Sequence, residues 1–384
     1  MLSMLKLNDE QIAYQNQIRE FAEKHISPIA SEIDREDNFP KGIFEALARM
    51  GSLGIMIPKE YGGSGPDFIL CALTMEEIAK KSVSVSLSFG QHAVFCSYSL
   101  YRLGLERQRG KYLPNLAKGK WMGAWALTEP NAGSDASAIK TRAKRIGSSY
   151  ILNGSKIFIT NGPVADIFLI AAKTREEVGS ESNMSIFIVE RNTEGLSFGD
   201  KMKKCGNRGS PTCEVFLDDC GIPEENLLGG VENRGWQQAL SILNVERTVV
   251  CFKSLGNAEG ALETIIRYTK ECHRSGRQLS AYQWVKMKLA EMAVKVEASR
   301  LMADRALVEV LEEGNESLKF TSMAKLLCSE VAVQVANDSM EILGIEGYTC
   351  KFPIERMLRD AKLGEIGGGT SEIQKIIIGN EILR

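Results

Sequence analysis

The chain has 384 residues, of which 44% are hydrophobic, and 47 Lys and Arg stand against 49 Asp and Glu for a formal charge of −2. These ordinary globular values exclude a disordered chain, a collagen-like chain and a strongly basic nucleic-acid binder. No stretch approaches the roughly 18 apolar residues of a membrane span. The first residues pass directly into helical sequence, so neither a signal peptide nor an Arg-rich leader is expected.

Nine cysteines form no CxxC pair, and the three histidines lie far apart in the sequence. A zinc site of clustered Cys and His is therefore not expected, and no other metal site is predicted. Scattered cysteines in a long chain are typical of buried thiols in a reducing compartment. We therefore expect a cytoplasmic protein, with the mature form of a mitochondrial matrix protein as an alternative.

The first third of the chain has helical patterns, and short β-type runs follow it. Helices are predicted over 9–34, 41–50, 68–80 and 91–117. Strands are predicted where Ile, Phe and Val concentrate between Gly, Asn and Pro, at 150–154, 156–160, 166–170, 185–189 and 214–217.

The last part of the chain predicts long helices, because residues 224–352 contain no proline. Apolar positions from Val285 to Val310 follow helical spacing, with Gly314 as a plausible stop. A second helix is expected over 318–343, ending near Gly344, and a third beginning near Ser371. The predicted order is helices, then strands, then helices, and the sequence has neither βαβ alternation nor a GxGxxG motif. This order argues against a Rossmann domain and therefore against a simple nicotinamide dehydrogenase.

Three clusters could carry chemistry. The loop at 125–135 offers the hydroxyls of Thr128 and Ser134 and free N–H groups to a polar ring edge or a phosphate; alternatively it is a surface loop that uses Gly133 for a turn. The run GGGTSEIQ at 367–374 fits a capping box from Ser371 to Gln374, whose N–H groups attract anions; alternatively it is a linker before an ordinary helix.

The third cluster is NVER at 244–247, within an apolar helical run. Burial makes a carboxylate costly to ionise and raises its pKa, which suits Glu246 to the role of general base. Arg247 could pair with a phosphate. The alternative is that both side chains lie on a solvated edge.

Together, in this order and spacing, the clusters resemble the acyl-CoA dehydrogenase family over nearly the whole chain. The segments that carry the resemblance are IPKEYGGSG at 57–65, ALTEPNAGSD at 126–135, GSKIFITNG at 154–162, ERMLRDAK at 355–362 and GTSEIQ at 369–374. The resemblance implies a mainly α fold with a central β-domain: an N-terminal helical domain at 1–120, a β-domain at 121–231 and a C-terminal four-helix bundle at 232–384.

The resemblance also implies FAD between the β-domain and the bundle, a homotetramer built as a dimer of dimers, and electron-transferring flavoprotein as the electron acceptor. The implied reaction takes a proton from Cα and a hydride from Cβ of an acyl-CoA and gives a trans-2-enoyl-CoA. Flavin N5 accepts the hydride, while a flavin ribitol hydroxyl and the N–H of Gly368 stabilise the enolate oxygen.

The position of the base distinguishes branches of the family. Many members carry the catalytic glutamate immediately before the Gly-Thr of the C-terminal signature, where this chain has Gly368. A subset, including isovaleryl-CoA dehydrogenases, places the base on a bundle helix just before an Arg, which matches Glu246 and Arg247. The resemblance to that branch implies Glu246 as the base. It does not identify the acyl group, and the main hypothesis is a short or branched acyl thioester.

A second departure concerns the flavin. Family members usually carry an Arg-x-x-Phe-Gly motif that ends at the position of Gly276, and the Arg reaches the FAD pyrophosphate across a subunit interface. This chain has Cys272 and Ser275 there, so His273 or Arg274 would have to supply the charge. Phe158 stands where many members have a Trp beside the flavin.

The resemblance assigns the remaining site residues. The implied catalytic pair is Glu246 and Gly368, and the implied acyl-CoA site comprises Ser134, Asn244, Arg247, Gly368 and Gly369. The implied flavin site comprises Ala126, Leu127, Thr128, Gly133, Ser134, Phe158, Ile159, Thr160, Arg274, Gln283, Glu341, Gly344, Thr370, Ser371 and Glu372. The Arg359–Asp360 pair is expected to hold the bundle together. The alternatives are an enoyl-CoA reductase or an acyl-carrier-protein dehydrogenase on the same fold, and a non-catalytic acyl-CoA-binding protein.

Overall fold

The computed structural model describes residues 5–175, 183–313 and 318–384. Its N-terminal part is helical, as predicted, but π-helical turns interrupt it at Ala22–Ile26 and Gln91–Tyr98, and a helix at 83–90 was not predicted. The helices are α1 Asp9–Phe21, α2 Ala30–Glu36, α3 Lys41–Arg49, α4 Phe68–Ala79, α5 Val83–Gly90, α6 Ser99–Leu103 and α7 Glu106–Ala117, and a small ladder joins β1 Met56–Ile57 to β2 Gly65–Pro66.

The middle of the chain forms a sheet. Its strands are β3 Gly123–Ala126, β4 Arg142–Ile146, β5 Ser149–Thr160, β6 Ile167–Lys173, β7 Met184–Glu190, β8 Leu196–Phe198 and β9 Thr212–Pro223. The runs predicted at 150–154 and 156–160 are a single strand, β5. Three described strands of this sheet escaped prediction: β3 and β8 are short, and β4 is mostly charged and exposed.

The sheet has the order β3-β6-β4-β5-β9-β8 along its described strands, with β7 paired to β6. Most neighbours are antiparallel, but β3 and β4 each pair parallel with β6. A bulge lies between Lys156 and Ile159, which pair with Val215 and Cys213 of β9. One extra residue on β5 bends the strand there, and such bulges re-aim side chains.

The C-terminal part is a helical bundle. Its elements are α8 Gly235–Glu271, the ladder of β10 His273–Arg274 with β11 Arg277–Gln278, α9 Gln283–Glu313, α10 Leu318–Leu343, α11 Ile354–Ala361 and α12 Ser371–Leu383. The helices predicted over 318–343 and from Ser371 are confirmed. Gly344 has φ +64°, the left-handed conformation that commonly ends a helix. The predicted stop at Gly314 lies outside the described residues.

The helix α8 joins two hydrophobic cores. Ile242, Val245 and Val249 pack with the N-terminal helices, whereas Phe252 and Leu255 pack in the bundle. The predicted class, mainly α with a central β-domain and a C-terminal four-helix bundle, is confirmed. Within the described ranges, no helix has the length and apolar character that crossing a membrane requires.

The Arg359–Asp360 pair connects the three parts of the chain rather than the bundle alone. The Arg359 guanidinium contacts Asp34 at 2.6 Å and the carbonyl of Cys205 at 2.6 Å. The Asp360 carboxylate accepts a hydrogen bond from the N–H of Asn207 at 2.5 Å. These contacts fix the segment between β8 and β9 and the N-terminal helix α2 against α11.

Candidate active site

Glu246 lies in the first half of α8 and is only 4% exposed. Burial raises the pKa of its carboxyl to about 7, and the positive charges of Arg247, Lys253 and Lys325 oppose the rise. Oε2 accepts no hydrogen bond from any residue that the structure describes. The solvated-edge alternative for Glu246 and Arg247 is therefore wrong, and the site holds a buried carboxylate with a free acceptor atom.

The glycine-rich segment faces this carboxylate. Gly368 and Gly369 have φ +67° and +91°, values that other residues adopt only with strain. A Cβ atom on Gly368 would lie 3.0 Å from Oε2 and 3.2 Å from Oε1 of Glu246. The carboxylate of Glu246 thus lies beside position 368. The resemblance described above implies that many members of that family carry their catalytic glutamate at this position.

Three side chains hold the glycine segment through its carbonyl groups. Arg247 Nε donates to Gly368 O at 3.3 Å, and Gln374 Nε2 donates to Gly368 O and Gly369 O at 3.2 and 3.0 Å. Lys325 Nζ donates to Gly369 O at 2.6 Å. The phosphate contact considered for Arg247 does not match this arrangement, because its guanidinium is buried and directed at the segment and at Asn244 Oδ1, 3.1 Å away.

Sequence reasoning missed Lys325 and misplaced the helix cap. The signal for Lys325 was a lysine in the apolar run of α10, where only a partner makes burial of a charge tolerable. The capping box from Ser371 to Gln374 is wrong: Thr370 is the N-cap, and its Oγ1 accepts from Ile373 N at 3.3 Å. The side chain of Gln374 instead donates to the carbonyl oxygens of Gly368 and Gly369, so each carbonyl gains a hydrogen-bond donor.

The loop after β3 follows a defined course. Ala126 ends β3, and the carbonyl of Thr128 accepts a hydrogen bond from Ile157 N at 2.9 Å, which ties the loop to β5. Reciprocal backbone hydrogen bonds of 3.1 Å between Glu129 and Ala132 close a turn. That turn does not depend on Gly133, which has neither a positive φ nor an atom of the described chain within 4 Å of an added Cβ.

A buried ion pair holds this loop against β5. Lys156 is fully buried, and its Nζ donates to Glu129 Oε1 at 2.7 Å and to the carbonyl of Leu127 at 3.1 Å. The Glu129 carboxylate also accepts the backbone N–H groups of Lys140 and Thr141 at 2.5 and 2.9 Å. These contacts fix the backbone of residues 127–129 beside the bulge of β5.

The bulge turns Phe158 outward. Phe158 has φ +59° and is 64% exposed, whereas its neighbour Ile159 is buried. A strained backbone that presents a large aromatic face to its surroundings is expected at a ligand site rather than in a core. Ser134 and Gly133 are exposed on the loop, and Thr160 is half-buried.

Four of the implied flavin residues lie elsewhere. Glu341 pairs with Lys288 at 3.0 Å near the end of α10, about 24 Å along the helix from Lys325 at 1.5 Å per residue. Gln283, Gly344 and Arg274 belong to the same end of the bundle, where Arg274 donates to Tyr268 Oη at 3.1 Å. Within a single copy of the chain, these four residues therefore do not lie beside Gly368.

The chain matches three family profiles that together span most of its length. They are the acyl-CoA dehydrogenase N-terminal domain at 8–120, the middle domain at 124–220 and the C-terminal domain at 233–383. The chain belongs to the acyl-CoA dehydrogenase family. It is thus a member of a group of flavin-dependent oxidoreductases.

Individual relatives agree with this assignment. An acyl-CoA dehydrogenase of Bacillus subtilis is 40% identical over 379 residues, which are 99% of each chain. The mitochondrial isovaleryl-CoA dehydrogenase of Solanum tuberosum is 38% identical over 99% of this chain and 92% of its own. A chain in the solved structure of the electron transferring flavoprotein of Acidaminococcus fermentans is 37% identical, with a TM-score of 0.96 and 99% of both chains covered.

Proposed function

We propose that this protein is an FAD-dependent acyl-CoA dehydrogenase that converts a short or branched acyl-CoA to the trans-2-enoyl-CoA, with Glu246 as the base. The observation that carries the proposal is the buried carboxylate of Glu246, which has a free acceptor oxygen and faces a glycine segment without side chains. A pKa near 7 suits such a group to accept a proton close to neutral pH.

The residues of the chain account for the proton transfer. A thioester placed beside the glycine segment would present its Cα to Glu246, which removes the proton. The N–H of Gly368 is proposed to bind the thioester oxygen, where negative charge develops. Arg247, Gln374 and Lys325 fix the glycine carbonyls and so reduce the freedom of that N–H. Bound FAD would supply the hydride acceptor.

Features of the loop after β3 and of the bulge in β5 support the proposal of a flavin site. Phe158 presents an exposed aromatic face, and the neighbouring loop keeps Gly133 open and Ser134 exposed. Ser371 Oγ is buried, and no described residue forms a hydrogen bond with it. We propose that the ring lies against Phe158 and the loop residues Ala126, Leu127, Thr128, Gly133 and Ser134, with Ile159, Thr160, Thr370, Ser371 and Glu372 around it.

We further propose a homotetramer, in which a second copy completes the flavin site through Arg274, Gln283, Glu341 and Gly344. Trp284, Met287, Val294 and Leu301 of α9 are 45–69% exposed, and the last three recur every seven residues along one face. An exposed apolar stripe of that length is typical of a helix that packs against another chain. Arg274, which carries its charge near Cys272, would replace the missing family arginine.

The proposals for the electron acceptor and the acyl group are based on the similar proteins. The likeness to the chain from Acidaminococcus fermentans supports an electron-transferring flavoprotein as the acceptor, and the isovaleryl-CoA dehydrogenase supports a branched short acyl group. The cytoplasmic location and the division at 120/121 and 231/232 stay predictions.

Anaerobic titration with a panel of acyl-CoAs tests the proposed function. We expect the purified protein to be yellow and its flavin absorbance to bleach with a saturated short or branched acyl-CoA, while the matching free acids leave it unchanged. If only an acyl group on carrier protein bleaches the flavin, the result would favour an acyl-carrier-protein dehydrogenase. If an enoyl-CoA reoxidises reduced flavin in preference to bleaching by acyl-CoA, it would favour an enoyl-CoA reductase. A colourless protein that gains no colour with added FAD would favour the non-catalytic reading.

Gly368→Ala should slow flavin reduction at least about tenfold, because a Cβ would press on the Glu246 carboxylate and strain the backbone at φ +67°. Small displacements of a catalytic group cost up to about 10² in rate. The matched control is Gly367→Ala, since its added Cβ would meet its nearest atom at an ordinary 3.5 Å. Stopped-flow reduction checks both. Equal rates in the two variants would show that neither the close contact nor the backbone conformation at 368 matters for the base.

A further inference from the structure

Lys325 is a buried cation that the proton transfer itself does not use. It lies on α10 and is 2% exposed, and its Nζ donates a hydrogen bond of 2.6 Å to Gly369 O. Burying an ammonium group is costly unless charge and hydrogen bonds compensate it. Burial lowers the pKa of Lys325 to about 8, and the negative charge of Glu246 opposes that decrease. Its ammonium group thus contacts Gly369, the neighbour of the glycine that lies against the Glu246 carboxylate.

The charged groups that face Glu246 come from two helices. Among the described residues, Arg247 and Lys253 lie on α8 itself, and Lys325 of α10 acts on the same carboxylate through its charge. The Cys251 thiol, also on α8, has a pKa raised well above its ordinary value by burial, so it stays neutral and adds no charge at working pH. Arg247 hydrogen-bonds Asn244 Oδ1 and Gly368 O, whereas Lys325 hydrogen-bonds the carbonyl of Gly369, the second glycine of the segment.

We propose that Lys325 is a positioning residue that holds the Gly368–Gly369 segment on α10 and stabilises the ionised form of the Glu246 carboxylate. The inference rests on the proposed role of Glu246. One ammonium group can do both. Its hydrogen bond fixes the carbonyl of Gly369, and its positive charge favours the ionised carboxylate of Glu246. Gln374 also binds Gly369 O, so the segment keeps one donor when the charge is removed.

Three substitutions separate the two tasks. Lys325→Met removes the charge and the donor, Lys325→Gln keeps a donor without charge, and Lys325→Arg keeps both. The control is Lys319→Met, the same change on the same helix at a half-buried lysine beside Phe320. If the Met variant fails to fold, the Gln and Arg variants still test the charge.

The ionisation of Glu246 is read directly by infrared difference spectroscopy of the purified holoprotein across pH. The carboxyl band is assigned by its loss in Glu246→Gln. We expect the protonation midpoint to rise by about one pH unit in Lys325→Met and Lys325→Gln, since an opposite charge nearby lowers a carboxyl pKa by roughly one to three units. Lys325→Arg and Lys319→Met should leave it in place.

The acid limb of flavin reduction should shift in the same direction and by a similar amount. An unchanged infrared midpoint in both the Met and the Gln variants would overturn the proposal. That outcome is distinguishable from failure of the proposed function, because the infrared midpoint is measured whether or not any acyl-CoA bleaches the flavin.

Discussion

Glu246→Gln should retain FAD but reduce flavin with acyl-CoA more than about a hundredfold more slowly, since a positioned general base contributes roughly 10² to 10⁴ in rate. Gln keeps the shape of the side chain but cannot accept the proton. In the unmodified protein the rate should fall as pH drops below about 7, where the buried carboxyl becomes protonated. Stopped-flow reduction from pH 5 to 9 measures both effects.

The same substitution should make the protein more stable at alkaline pH. The folded-state pKa of Glu246, about 7, lies above its ordinary 4.5, so the folded protein binds the extra proton between these values. Stability is therefore lost as pH rises from 4.5 to 7, and the full penalty of up to about 3 kcal/mol applies above pH 7. At pH 8, Glu246→Gln should unfold at a higher denaturant concentration than the unmodified protein.

Glu263→Gln is the matched control, because it makes the same change on α8 at a side chain that is 57% exposed. Its rate and its stability should stay close to those of the unmodified protein. Near-normal turnover in Glu246→Gln would remove Glu246 from the role of base, and a loss of stability at pH 8 would show that its burial is not costly.

Lys156→Met should destabilise the protein by about 3 kcal/mol, at the lower end of the range for breaking a buried ion pair. The substitution leaves Glu129 buried without its cation, although the N–H groups of Lys140 and Thr141 still bind the carboxylate. Leu127 O also loses its donor, so the loop beside Phe158 should hold flavin less tightly. Urea unfolding and flavin release on dilution measure the two consequences.

Two controls define what the Lys156 result means. Lys144→Met removes an exposed lysine from β4, and its effect should stay within about 0.5 kcal/mol. The double variant Lys156→Met with Glu129→Gln leaves no unpaired charge and should recover part of the lost stability. Equal losses in the single and double variants would assign the effect to packing rather than to the unpaired carboxylate.

The order of helices, strands and helices could be predicted from the sequence, because proline-free amphipathic runs and Ile-, Phe- and Val-rich segments have strong local preferences. Prediction failed at short or irregular elements. The strand β4 carries mostly exposed charged residues. The helix cap is Thr370 rather than Ser371, and the side chain of Gln374 hydrogen-bonds Gly368 O instead of taking part in a capping box. Neither is decided by local preference alone.

The sequence by itself determined the family pattern, through long matching segments, and the presence of a carboxylate at Glu246 with a glycine at 368. Only the tertiary structure decided that these two positions touch, that the carboxylate is buried with a free oxygen, and that Lys325 reaches the same segment from α10. The physical reason is that a pKa and a contact depend on desolvation and on neighbours distant in the chain. Those neighbours are set by how α8, α10 and the glycine segment pack, which no local pattern encodes.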